Sequence, residues 1–208
     1  MCTAITHIVL GEKIFKKYFS DKDRKEFFVA STFPDIRYLG VLHRSETHFE
    51  KMTLPEAQKE DSFGAGWKFH SLIDLVREKY ARENGYYSRL FINHAKILAG
   101  KLLEDEIFYN KIDNWPEIIG FYEKALDFEK SFKIEEKRID EWHNILRTDF
   151  LSVPSTKTRA EVFRVLKFPP DFCFKTEKYL SSFRQNKKMV KKINEMYKNL
   201  ENLLENFE

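Results

Sequence analysis

The stretch from Gly66 to Tyr80, GWKFHSLIDLVREKY, has a strongly helical pattern and places His70 and Asp74 four residues apart. At about 100° per residue, two positions with this spacing share one face of a helix. An imidazole and a carboxylate on one face can bind a single cation, because borderline metals such as zinc accept nitrogen and oxygen ligands together. The same spacing also suits a buried histidine oriented by an acid, so the pair alone leaves a purely structural role open.

The composition favours a helical globular chain around that stretch. The 208 residues are 42% hydrophobic and 33% charged, with only 7 glycines and 6 prolines. We therefore predict an all-α fold, a multi-helix single domain that spans residues 1–208 and holds a metal site between helices. Within it, residues 1–110 are expected to form the metal-binding core, and residues 111–208 to supply further helices packed on that core.

The sequence gives little support to several other classes of protein. No apolar run approaches the ~20 residues of a membrane span, and the N-terminus lacks the pattern of a signal peptide, so we expect a cytoplasmic protein. Cys2 and Cys173 are far apart and suggest neither a disulfide framework nor a thiolate zinc site. A net charge of +3, with acids interleaved among the lysines, is weak evidence about a nucleic-acid partner, which stays open.

Capping residues and prolines predict where the other helices begin and end. Thr3 or Thr6 is expected to cap the first helix, and Asp21 or Asp23 the second, which Pro34 should end. The segment 53–66 loses the helical pattern, so we expect a surface loop there that could cover a pocket. The remaining predicted helices are a long one that opens at Ser88, one from Pro116 to Lys130, one over Ile134–Leu146, a short one that opens at Ser155 or Thr158, and a final amphipathic stretch over Thr176–Glu208.

The histidines are concentrated near the N-terminus. Five of the six fall within the first 94 residues, namely His7, His43, His48, His70 and His94. Each alone is more often structural than a ligand, but their enrichment beside acids strengthens the prediction of a metal site.

Some acids and histidines fit that site less well. Asp105 lies roughly 16 Å from His94 along a helix, too far for both to bind one ion. Glu104 is expected to be a solvent-exposed or capping acid, and His143 to have a structural or surface role.

Most common catalytic signatures are missing. The sequence contains no G-x-S-x-G elbow, no phosphate-binding G-x-x-x-x-G-K-[ST] loop, no dinucleotide-binding G-x-G-x-x-G and no H-E-x-x-H. It also lacks a His-Asp dipeptide, which argues against the helical HD-type phosphohydrolases.

The order of several short segments resembles the zinc-dependent phospholipase C family, which is distantly akin to the single-strand-specific zinc nucleases. These segments are THIVLGEKIF, FPDIRYL, RSETHF, GWKFHSLID and the later helix with His94, and together they span residues 5–108. The resemblance implies an all-helical fold with zinc ions held between helices by histidines and aspartates. It also implies a metal-activated water that attacks a phosphodiester.

The resemblance also implies roles for individual residues. His48, His70 and Asp74 would hold one metal, with Asp74 able to bridge, and His7 would contribute to a second ion. Asp35 would orient or deprotonate the attacking water.

Two further positions complete the predicted site. Arg44 could help to neutralise charge on the phosphate. His94 is a further candidate ligand, but position 98 is Leu where the family pattern ends in H-x-x-x-E. We therefore expect one or two ions, zinc or another divalent transition metal.

These observations predict a metal-dependent hydrolase of phosphoric esters, similar to a phospholipase C. The expected substrate is a small-molecule or lipid phosphoester. The alternative is a catalytically inactive helical binding or scaffolding protein that retains the fold.

Overall fold

The computed structural model describes residues 3–84 and 93–207, and it confirms the predicted all-α single domain. Within those ranges the chain forms thirteen α-helices and no strand. The first six are α1 (Ala4–Tyr18), α2 (Arg24–Thr32), α3 (Arg44–Thr47), α4 (Leu54–Gln58), α5 (Ser62–Glu83) and α6 (His94–Phe108). The others are α7 (Trp115–Gly120), α8 (Asp127–Ser131), α9 (Glu136–Ile145), α10 (Thr156–Val165), α11 (Pro170–Arg184), α12 (Lys187–Lys198) and α13 (Leu200–Glu205).

Three helical segments of other types connect these elements. Two are 3-10 helices, Phe33–Leu39 after α2 and Tyr109–Lys111 after α6, and one is a π-helix, Leu146–Phe150 after α9. None of the helices in the described ranges has the length and apolar character needed to cross a membrane.

The caps of the first two helices are among those that the sequence predicts. The side chain of Thr3 accepts a hydrogen bond from the backbone N–H of Thr6 at the start of α1, and Asp23 accepts one from Glu26 at the start of α2. Each of these bonds satisfies an N–H group that has no partner within its helix. As predicted, α2 ends just before Pro34, at Thr32, and the chain passes directly into the 3-10 helix that carries Asp35. A proline is tolerated there because it lies in the first turn of that segment.

The surface loop predicted over residues 53–66 is wrong. This segment forms α4 and the first turns of α5, with Pro55 in the first turn of α4 and Asp61 capping α5. Gly66 lies inside α5, where a Cβ atom would lie only 2.1 Å from the backbone oxygen of Phe27 in α2. The glycine therefore permits a close contact between α2 and α5 and does not mark a loop.

Two other predicted helices are divided in the structure. The segment from Pro116 to Lys130 forms α7 and α8 with turns between them, and the final amphipathic stretch forms α11, α12 and α13. Asn186 interrupts the stretch because its side chain caps α12 by accepting from the backbone N–H of Met189. The long helix predicted to open at Ser88 corresponds to α6, which Asn93 caps. Ser88 itself lies outside the described residues.

One hydrophobic core includes residues on both sides of residue 110. Near the contact between α2 and α5 it is largely aromatic, with the ring centroid of Phe27 4.7 Å from that of Phe19 and 5.2 Å from that of Phe69. On the other side of the domain α6 packs against α11. The candidate metal ligands therefore lie in a domain whose helices share one core.

Glu104 is not the solvent-exposed acid that its helical position predicts. It is fully buried and pairs with Arg77 of α5, with Arg77 Nη2 2.9 Å from Glu104 Oε1. Arg77, which is itself buried, extends from α5 to reach it. A buried charge is tolerated when a guanidinium pairs with it, so the pair links α5 and α6.

The close contact between α2 and α5 predicts that Gly66→Ala is destabilising. The new methyl group would meet a backbone oxygen, which cannot move without displacing α2, so we expect the free energy of unfolding to fall by about 1–3 kcal/mol. Gly120→Ala is the matched control, because no atom lies within 4 Å of a Cβ at that position. Denaturant unfolding of both variants measures the difference, and an equal effect on the two would contradict the proposed contact.

Candidate metal centre

His70 lies on the buried face of α5, next to the C-terminal end of α2. Its Nδ1 is 2.8 Å from the backbone oxygen of Ser31. A carbonyl oxygen only accepts, so Nδ1 carries the proton and Nε2 of the neutral ring presents a lone pair. The close packing of α2 on α5 thus orients His70 in the tautomer that can bind a metal through Nε2.

His7 is held in the same way in the first turn of α1. Its Nδ1 donates to the backbone oxygen of Thr3 at 2.9 Å. Its Nε2 is buried and has no hydrogen-bond partner among the described residues. The rings of His7 and His70 are stacked, with centroids 3.9 Å apart and planes 11° apart. A buried nitrogen lone pair without a donor is costly in a folded protein, and a bound metal ion would satisfy it.

His48 directly follows α3, and its ring lies next to that of His70. Two residues of α5 fix the backbone around it: the Trp67 Nε1–H donates to the Thr47 carbonyl at 2.8 Å, and the Ser71 hydroxyl accepts from the Phe49 N–H at 3.1 Å. His48 Nδ1 lies 2.8 Å from the Thr47 hydroxyl. That hydroxyl is within hydrogen-bond distance of the Arg44 carbonyl at 3.3 Å, so it can donate there and accept from His48.

The Nε2 atoms of His48 and His70 are 3.1 Å apart. Two nitrogen ligands on one tetrahedral zinc, with bonds of about 2.0–2.1 Å, would be roughly 3.3 Å apart. When the Thr47 hydroxyl donates to the Arg44 carbonyl, both Nδ1 atoms are protonated, and neither Nε2 of the neutral rings has a proton to donate to the other. The spacing therefore suits two ligands of one cation better than a hydrogen bond between the two rings.

Asp74 faces two of these histidines with different oxygens. Its Oδ1 is 3.8 Å from Nε2 of His7, and its Oδ2 is 3.7 Å from Nε2 of His48. A guanidinium nitrogen of Arg44 lies 3.9 Å from Oδ2. A carboxylate with one oxygen toward each imidazole has the arrangement needed to bridge two ions. Arg44, with half of its side chain exposed, supplies positive charge at the solvent side.

Asp35 approaches from the 3-10 helix that follows α2. It is buried, and Arg37 Nη2 lies 3.3 Å from its Oδ1. Among the described residues, two groups offer ligand atoms that all lie within 4.8 Å of one another: His7, Asp35 and His70, and His48, His70 and Asp74. The structure thus brings Asp35 into the cluster as a candidate ligand as well as a candidate base.

Burial sets the protonation of the cluster. It lowers the pKa of His7 to about 3 and that of His70 to about 4, and it lowers the pKa of His48 with help from the nearby positive charge of Arg44. Burial also disfavours the charge of Asp74, but its electrostatic interactions with His70, His7 and Lys101 outweigh this and hold its pKa well below the usual value. Neutral imidazoles beside an ionised carboxylate are the forms that bind metals.

The structure does not bring every predicted residue into the cluster. His94 is exposed at the first position of α6 and belongs to neither group of candidate ligands. His43 is exposed as the N-cap of α3. His143 is buried elsewhere, and its Nε2 lies 2.7 Å from a carboxylate oxygen of Glu129, which agrees with the structural role predicted for it.

Asp105 is also buried outside the two groups. Its Oδ1 accepts hydrogen bonds from the hydroxyls of Thr3 and Thr6, and burial raises its pKa to about 7. It therefore contacts the first turn of α1, which carries His7, and not the candidate ligands themselves.

Sequence reasoning missed the groups that orient the imidazoles. The backbone oxygens of Thr3 and Ser31 and the side chains of Trp67 and Ser71 leave no signature of their own, since a carbonyl exists at every position. Only the spacing of Trp67, His70 and Ser71 on one helix offered a signal, because positions three and four apart face the same side.

We compared the chain with protein-family models, with curated proteins and with solved structures. None of the three comparisons finds a match.

Proposed function

We propose that this protein is a metal-dependent hydrolase of phosphoric esters. The observation that carries the proposal is the convergence of three imidazoles and two carboxylates from four separate segments of the chain. His7 and His70 are fixed through Nδ1 so that Nε2 faces the cluster, and His48 is placed to do the same. This arrangement of ligands, and the resemblance in segment order to zinc-dependent phospholipases C, support the same conclusion.

The ligands divide between two ions. Because Nδ1 of His70 is occupied by Ser31, this residue has a single nitrogen to offer and can bind only one ion. We assign it with His48 and one oxygen of Asp74 to a first ion. His7 and the second oxygen of Asp74 would then hold a second ion beside Asp35. When bound, zinc or a similar divalent metal supplies Lewis acidity and lowers the pKa of water toward about 7.

The chain's own residues supply the other functions of a phosphoesterase. Burial raises the pKa of Asp35, which makes its carboxylate a stronger base that would accept a proton from the attacking water. Arg44 is half-exposed beside Asp74, where its guanidinium can bind the phosphate oxygens of an incoming ester. The residues packed around His7 and His70 bury both imidazoles fully and so exclude water from them.

Metal content is the direct test of the ligand set. Protein purified without a histidine tag should contain one or two equivalents of zinc or another divalent metal by elemental analysis. The double variant His70→Ala/Asp74→Ala should lose most of that metal, because the pair contributes to both ions. His94→Ala is the matched control and should keep it, since His94 is exposed outside the cluster. Metal that persists in the double variant, or is absent from the wild type, would favour the inactive binding protein.

Thermal stability gives a second test that needs no substrate. A metal that joins α1, α5 and the segment after α3 binds the folded state far better than the unfolded one. At a free metal concentration 100 times Kd, the gain of about 2.7 kcal/mol should raise Tm by roughly 5–11 °C for a chain of this size. Chelation should reverse the shift, as calorimetry would show. The double variant should not respond, and an equal response in it would place the binding elsewhere.

The role of Asp35 can be separated from ligand binding by one substitution. If Asp35 is mainly the base, Asp35→Asn should retain the fold and most metal but lose about 10²–10⁴ in kcat. His70→Ala should lose metal and activity together, and Asp140→Asn, at an exposed acid, should change neither.

The assay is a panel of phosphodiesters and phosphomonoesters with metal supplied. Loss of metal in Asp35→Asn would identify this residue as a ligand. Equal background turnover by all four proteins on every substrate would rule against the hydrolase.

A further inference from the structure

A cavity lies between the N-terminal helices and the C-terminal half of the chain. Its walls come from the start of α1, the 3-10 helix with Asp35, one face of α6, the π-helix after α9, and α10. It contains about 830 Å³ of empty space, part of which is open to solvent. A ligand inside it would contact both the N-terminal helices and the C-terminal half of the chain.

The lining of this cavity is mainly apolar. The side chains that form most of its walls are those of Leu98, Leu102, Trp142, Phe150, Phe163 and Phe168. One charged residue on the far wall, Arg159, is paired with Glu106 at 2.9 Å and with Glu177 at 2.6 Å. Its charge is therefore already balanced and does not create a site for an anion at that end.

The polar end of the cavity meets the candidate metal centre. Asp35 lines the cavity and also belongs to the group of candidate ligands with His7 and His70. Asp105, whose Oδ1 accepts from Thr3 and Thr6, lies on the same wall. Lys101 of α6 also lines the cavity, so its charged groups lie beside the candidate metal centre. A ligand that fits must place its charged phosphate at the metal centre and an uncharged, apolar part between α6 and α10.

We propose that this cavity binds the hydrocarbon chain of the substrate, and that the substrate is a phosphodiester with one unbranched alkyl chain. The inference rests on the proposed function, because the phosphate is assigned to the metal centre. The inference goes beyond that function because it places the hydrocarbon chain of the substrate inside the protein. Recognition would then depend on chain length, since each buried methylene adds about 0.8 kcal/mol, which is close to a fourfold gain in affinity.

Binding of 1-alkanols tests the cavity without any phosphate chemistry. Titration calorimetry of 1-hexanol, 1-octanol and 1-decanol should show affinity that rises about fourfold per methylene until the cavity is filled. The measurement should give the same result with metal supplied or chelated, and also with the His70→Ala/Asp74→Ala variant. No binding of any alkanol to the folded wild type, or affinity independent of chain length, would overturn the proposal.

Substitutions on two opposite walls locate the binding. Val162→Trp on α10 adds bulk inside the cavity, and filling the space of two methylenes should weaken 1-decanol binding about 15-fold. Val165→Trp is the matched control, as it lies on the same helix and is half-buried but does not line the cavity. Leu98→Trp on α6, with Ile97→Trp as its control, repeats the test if the first variant does not fold. Equal weakening in a variant and its control would overturn the proposal.

Hydrolysis connects the cavity to the metal centre. With zinc supplied, 4-nitrophenyl alkyl phosphodiesters from butyl to decyl should show KM values that fall about fourfold per methylene, and Val162→Trp should abolish this trend. A KM independent of chain length in an active enzyme would overturn the inference and leave the proposed function standing. Binding of alkanols without hydrolysis of any ester would do the reverse, supporting a chain-binding cavity and contradicting the hydrolase.

Discussion

The contact between α2 and α5 is the constraint on which the candidate site depends. Gly66 lets the backbone of α5 approach Phe27, where any side chain would collide with a carbonyl oxygen. One helical turn further along both helices, the Ser31 carbonyl meets Nδ1 of His70 at 2.8 Å. Phe27 and Ser31 are four residues apart in α2, and Gly66 and His70 are four residues apart in α5, in the same direction. The two helices therefore run alongside each other there at nearly constant separation. A wider spacing would leave His70 without the acceptor that fixes its tautomer.

The same packing makes the cluster expensive to fold without a ligand. Three imidazoles and two carboxylates are buried together, and Nε2 of His7 has no hydrogen-bond partner among the described residues. Burial pushes the imidazoles to their neutral form, which reduces the cost but leaves lone pairs directed at one another. Side chains selected only for stability would replace such a group with apolar residues. The cluster is therefore better explained as a ligand set than as packing.

The sequence predicts the fold class and the helix-borne members of the site well, because those depend on local spacing. His70 and Asp74 share a face of α5 wherever that helix packs, and Thr3 and Asp23 cap their helices through bonds to neighbouring residues. The mistakes have tertiary causes. The sequence alone places Gly66 in a loop, because the role of this glycine depends on its contact with α2. It also predicts an exposed Glu104, because the burial of this side chain depends on Arg77 in another helix.

His94 is the opposite case, a residue that the sequence favours as a ligand and that the fold places outside the cluster. It has the residue type of a ligand and lies in the right part of the chain, but the start of α6 places it on the surface. Leu98 lies four residues after His94 where Asp74 lies four residues after His70, but this difference does not set exposure, which depends on what packs against a helix. The periodicity of a helix predicts which residues lie together on a face, and the tertiary fold decides which face is buried.

Helix α6 carries none of the clustered ligands, yet it controls where one of them lies. Asp105 accepts hydrogen bonds from the hydroxyls of Thr3 and Thr6, and so holds the first turn of α1. The carbonyl of Thr3 in turn accepts from Nδ1 of His7 at 2.9 Å. The same face of α6 lines the apolar cavity through Leu98 and Leu102. One helix thus fixes His7 on one side of the candidate metal centre and shapes the space beyond Asp35 on the other, so the position of α1 on α6 links the candidate ligands to the cavity.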